Sequence, residues 1–207
     1  MKLKKNVKKI IIVILVLLLI TVGVFAYLKY NHKEETKEIK IVDNISKYGY
    51  KLKENKPEKY KTMFKEVKEI LNKDEVSEEE YVKKISELYI YDFYSLKDKL
   101  AKTDIGGVDF VHKDILENYL QNAQDTYYKY VESNLYNNRK QDLPEVSEIT
   151  IEEVEQKSFS YNETTDEKAY YVNVKWSYTE DEFSDYQNSA TLVFVHDDIK
   201  LCLVELQ

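Results

Sequence analysis

The stretch Ala169–Thr179 reads AYYVNVKWSYT. Tyr170, Val172, Val174, Trp176 and Tyr178 alternate with Tyr171, Asn173, Lys175 and Ser177. A period of two puts the first set on one face of a strand and the second on the other. The mixture of aromatic and β-branched residues suits a pleated, half-buried surface. Three more segments carry the same alternation: Val146–Tyr161, Gln187–His196 and Ile199–Leu206. Their connections, Asn162–Glu167, Glu180–Asp185 and Asp197-Asp198, are short and polar. Strands joined so closely pair antiparallel, because a parallel neighbour needs a long crossover. The expectation is a meander with one apolar face that requires a cover.

The preceding half of the chain supplies that cover, since its apolar period is helical. A first helix begins at Pro57, a residue suited to the first helical position. Tyr60, Met63, Phe64, Val67, Ile70 and Leu71 form its stripe. A second starts at Ser77, with Glu80 three residues on as a capping box. Its stripe is Tyr81, Ile85, Leu88, Tyr89, Phe93 and Leu96. Gly106-Gly107 marks a backbone turn, and Val108, Phe110 and His112 read as a short strand. A third, long helix is expected over 113–134. The fold class is therefore α+β, with three helices packed on an antiparallel sheet.

Residues 10–28 contain no charge and follow five lysines within residues 1–9. Nineteen helical residues span roughly 28 Å, close to the ~30 Å hydrocarbon core. The lysines favour a cytoplasmic N-terminus, and Tyr27 and Tyr30 suit the opposite interface. The sequence predicts a cytoplasmic basic tail over 1–9, a transmembrane helix over 10–28, a polar stalk over 29–56 and an extracytoplasmic domain over 57–207. The competing reading is a cleaved signal peptide ending at Val24-Phe25-Ala26. An apolar run longer than the usual ~15 residues disfavours it.

Charge is divided unequally. Residues 1–30 hold six lysines and no acid, while the remainder holds 25 basic and 38 acidic residues. An acidic body disfavours nucleic acid as a partner, since phosphate binding needs a basic face. It also disfavours lying flat on anionic lipid. Cys202 is the single cysteine. One thiol forms no internal disulfide, and in an apolar run it reads as a small buried hydrophobe.

Two helices, a short strand, a long helix and then a run of long antiparallel strands is an order that resembles the NTF2-like cone. There a curved sheet wraps around helices and leaves a tapered cavity. The resemblance covers residues 57–206 and rests on element order and length, not on a motif. With a membrane helix in front, the arrangement also resembles VirB8-type and TcpC-type assembly proteins of secretion and conjugation systems. Surface proteins of low-GC Gram-positive bacteria look similar too. No functional residue is carried over from these likenesses.

Asp92 sits beside the apolar stripe of the second helix, four residues after Leu88. Burial there would raise its pKa toward the general-base range. The structural alternative is a carboxylate satisfied by a tyrosine or by the Gly106-Gly107 backbone. Asp104, Asp109 and His112 cluster around the two glycines, where Asp104 suits a turn cap and Asp109 a cap for the third helix. Tyr127, Tyr128 and Tyr130, with Tyr170, Tyr171 and Tyr178, are candidates to line a groove. Asp92, Asp109, His112, Tyr127 and Trp176 are thus the candidate ligand-binding residues.

His32, His112 and His196 form no metal-ligand motif, and Glu180–Asp185 lacks the spacing and central glycine of a calcium loop. No catalytic set, metal site or cofactor is expected. The leading expectation is a membrane-tethered binding or scaffold module with a protein partner or self-association. The alternatives are a small-molecule-binding or enzymatic cone and a channel subunit.

Overall fold

The computed structural model describes residues 40–207, together with positions 14, 18 and 20–24, which are helical. The basic tail over 1–9, most of the apolar run over 10–28 and the linker up to residue 39 lie outside the described residues. Among the described residues, no helix is long and apolar enough to cross a membrane.

Lys40–Gln207 forms one compact unit. It opens with a hairpin of β1 (Ile41–Ile45) and β2 (Tyr50–Lys53). Gly49 turns the chain at φ +75°, a conformation that a residue with a Cβ adopts at a cost. The segment expected as a stalk is therefore part of the domain from residue 40 onward. Ile45, Tyr48, Tyr50 and Leu52 from this hairpin are buried in the core. The sequence signal was weak because each strand is short and the outward positions are charged or polar.

Helix α1 (Glu58–Leu71) follows, with Pro57 as its N-cap rather than its first turn. Helix α2 (Glu78–Tyr94) starts where Ser77 Oγ accepts the Glu80 N–H at 3.3 Å. The Glu80 carboxylate meets Lys73 instead of closing a capping box. Seven consecutive residues of α2, Leu88 to Tyr94, are buried. A stripe alone would bury three or four of them, so this part of α2 is enclosed on all sides.

The expected strand near His112 is absent. Gly107, at φ +73°, leads into a 3-10 turn at Val108–Phe110, and strand-like pairing with the sheet is limited to one parallel bridge, from Val111 to Leu203. The expected third helix is also shorter. A second 3-10 turn, Lys113–Ile115, precedes α3 (Leu116–Asp125), and the chain then leaves the helix in turns. Leaving at Thr126 lets the buried Tyr128 hydroxyl donate to Phe93 O at 2.7 Å.

The C-terminal half is the expected meander: β3 (Val146–Tyr161), β4 (Thr164–Tyr178), β5 (Ser189–Asp197) and β6 (Lys200–Leu206) pair antiparallel in that order. Tyr170, Val172, Val174 and Trp176 are buried against the helices, while Lys175 and Ser177 are exposed. Three register irregularities between β3 and β4 curve the sheet. On the opposite face, Phe159, Tyr161 and Tyr171 cover a second cluster of Ala169, Val193, Val195 and Val204. Cys202 is buried, and burial pushes its thiol up to about 11.

Candidate functional site

Asp92 is buried at the end of α2, but it is not a poised base. Its Oδ2 accepts the Gly107 N–H at 2.9 Å, and its Oδ1 accepts from Lys99 Nζ at 3.0 Å and from Lys56 Nζ. Burial on its own would raise its pKa. The Lys99 and Lys56 charges and the Gly107 N–H outweigh burial and hold the carboxyl well below its ordinary range. The raised pKa of a general base does not arise, and the alternative, a carboxylate satisfied by the Gly106-Gly107 backbone, describes Asp92. Sequence reading offered the Gly107 contact but missed both lysines, which reach Asp92 from separate segments.

The two glycines make that arrangement possible. A Cβ on Gly106 would lie 1.9 Å from the Asp92 carbonyl oxygen, so only glycine fits against α2. The Gly106 N–H donates to Tyr128 Oη at 3.0 Å, and its carbonyl accepts from Tyr119 Oη at 2.8 Å. Asp104 caps its turn as expected, accepting the Leu100 N–H at 2.9 Å.

Asp109 lies inside the first 3-10 turn and caps no helix. His112 instead caps the next turn, with Nδ1 accepting the Asp114 N–H at 3.3 Å. Its buried ring packs edge-on against Tyr161, with centroids 5.3 Å apart. Asp92, Asp109 and His112 thus belong to three separate contact sets and do not converge on a pocket.

Tyr127 and Trp176 are brought together. Tyr94 bridges them: its ring centroid is 4.8 Å from Tyr127 and 4.3 Å from Trp176. Tyr178 Oη accepts from Trp176 Nε1 at 3.0 Å and lies 3.1 Å from Tyr127 Oη. Tyr127, Tyr94 and Phe93 form one wall of a groove of about 430 Å³. Asn118 and Asn122 of α3 form a second side, and four consecutive residues of β6, Leu203 to Leu206, form the third. Trp176 supports the wall from behind and does not line the groove. Among the described residues the buried Tyr94 hydroxyl meets no hydrogen-bond partner.

No family model, curated protein or solved structure matches the chain. The site is therefore judged on its own geometry. It is a partly open, aromatic-walled groove with amide side chains at its rim and a single carboxylate, Glu205. Among the described residues, no group of His, Cys, Asp and Glu side chains is arranged to hold a metal.

Sequence reading missed one further cluster. His196 Nδ1 lies 2.8 Å from Asp166 Oδ2, its Nε2 lies 3.5 Å from Glu78 Oε2, and Tyr170 Oη donates to the same Glu78 oxygen at 3.2 Å. Asp166 is held below its ordinary pKa: burial opposes this, and the His196 N–H and ring contacts prevail. The cluster ties the start of α2 to the β4–β5 ladder. No spacing rule links residues so distant in sequence.

Proposed function

We propose that the protein is a membrane-tethered binding module, with a helix over residues 10–28 holding the acidic α+β domain outside the cytoplasm. The observation that carries the tether is the uncharged nineteen-residue run behind five lysines. The described positions in that run agree with it: Ile14, Leu18, Ile20, Val22 and Val24 are helical and more than half exposed. A helix presenting apolar side chains in this way needs lipid or protein around it.

The groove between α3 and β6 supports a binding role. Its wall is built from tyrosine and phenylalanine, residues enriched at protein interfaces. The ionisable candidates lie elsewhere, so recognition there rests on shape, aromatic contact and main-chain hydrogen bonding. Three helices against a curved meander are also the elements of an NTF2-like cone, and the groove corresponds to a cavity at the helix–sheet junction.

A photoreactive side chain at position 122, on the groove rim, tests the reading. Cross-links to a distinct protein should form from position 122 and not from position 152 on the far edge of the sheet. Equal cross-linking from both sites, or none from either, would count against the groove.

A further inference from the structure

We propose that the groove receives an extended, basic-flanked segment of a partner protein, which adds to the free edge of β6 as a fifth strand. This rests on the binding-module reading and specifies the partner's chemistry.

The edge of β6 is closed along its first part and open along its last. At Leu201 the outward N–H donates to Tyr81 Oη at 3.3 Å, and the carbonyl accepts weakly from Tyr50 Oη at 3.5 Å. At Leu203 the carbonyl accepts the His112 N–H at 2.8 Å. Beyond that point the chain from His112 turns away into α3. Gln207 and Thr191 exchange both of their hydrogen bonds at 3.0 Å. In an antiparallel ladder the adjacent pair, Leu206 with Leu192, is then not hydrogen-bonded, so the Leu206 N–H and C=O point away from β5. Among the described residues neither group meets a partner on that side.

The groove runs along this open main chain. Leu203 and Leu206 belong to the core face and Val204 to the opposite face, yet all three line it. Side chains from both faces line one groove only where the strand's edge borders it. The bridge from Val111 to Leu203 shows that this edge already pairs with one short segment.

The opposite edge of the sheet is protected. β3 carries Glu148, Glu152, Glu153 and Glu155 and three register irregularities, devices that block edge pairing. Residues 203–206 of β6 carry only Glu205 among apolar neighbours.

Charge selects the occupant. Glu205 is the one carboxylate that lines the groove, and beyond residue 30 the chain carries 38 acidic against 25 basic residues. A second copy of this chain would bring the same acids against themselves. A partner strand with Lys or Arg at its ends is complementary, and its alternate apolar side chains enter the aromatic wall.

The test uses the full-length protein and a pool of randomised peptides of about twelve residues. Enriched peptides should alternate β-branched or aromatic residues with polar ones, carry Lys or Arg near the ends and lack central proline. In the best binder, N-methylation at one parity of positions should weaken affinity at least tenfold, and at the other parity less than threefold. The methyl groups leave the protein unaltered, so misfolding does not enter. Enrichment of acidic or proline-centred peptides, or loss that is equal at both parities, overturns strand addition while leaving a binding groove. Absence of any enriched peptide overturns both the strand and the groove. A dimer of the unaltered protein that the best-binding peptide converts to monomer would assign the edge to a second copy and also overturn the proposal.

Discussion

Lys99 Nζ lies 3.0 Å from Asp92 Oδ1, and the two side chains are 2% and 7% exposed. This buried pair fastens the end of α2 to the loop that follows. The chain's single arginine, Arg139, holds the same loop from outside by donating to the carbonyls of Lys99 and Lys97, each at 2.7 Å. Gly107 completes the knot from the far side of the carboxylate.

Asp92→Asn should cost about 3–5 kcal/mol, because removing one member of a buried pair strands its partner's charge. Lys56→Met should cost less, since Lys56 is partly exposed and its loss leaves the Asp92–Lys99 pair intact. Urea unfolding midpoints of the two variants against the parent check this order.

Acid should unfold the protein through the same group. Asp92 has a folded pKa below its unfolded value, so its stabilisation is complete above about pH 4 and fades as pH falls toward the folded value. Asp98, raised by its burial, acts in the opposite sense and blunts the slope. Stability measured between about pH 5 and pH 2 should fall steeply in the parent and more gently in Asp92→Asn.

Gly106→Ala should destabilise by about 3 kcal/mol or more, since the new methyl would meet α2 backbone that cannot swing aside. Gly107→Ala meets the Tyr89 ring at 2.6 Å and also requires a left-handed conformation at φ +73°. Calorimetric melting of both variants should show a lower Tm, with Gly106→Ala the more affected.

A fragment beginning at residue 57 should be less stable than one beginning at residue 40. It loses four buried side chains, and Tyr81 Oη loses its 2.6 Å hydrogen bond to Tyr50 Oη. Urea midpoints of the two fragments compare them directly. Equal stability would return residues 40–56 to the role of a linker.

The sheet was legible because each strand repeats one local rule, and β3 runs over the expected Val146–Tyr161. The Ser77 cap was legible for the same reason, being a contact across three residues. Tertiary demands were not. The turns after Asp125 continue a helical apolar pattern in sequence, yet Tyr128 leaves it to reach Phe93 and Gly106. Lys56, Lys99 and Asp92 are ordinary charged residues until the fold encloses them. Of the five candidate site residues, Tyr127 lines the groove and Trp176 backs its wall. The edge of β6 was hidden because an unpaired main chain leaves no mark in side-chain sequence.

The most direct measurement of the tether is protease accessibility of a C-terminal tag in intact cells, paired with alkaline carbonate washing of their membranes. The chain should stay in the washed membrane fraction, and the tag should be removed by protease added outside. A tag that survives until the cells are opened, on a chain recovered in the soluble fraction, would contradict the account.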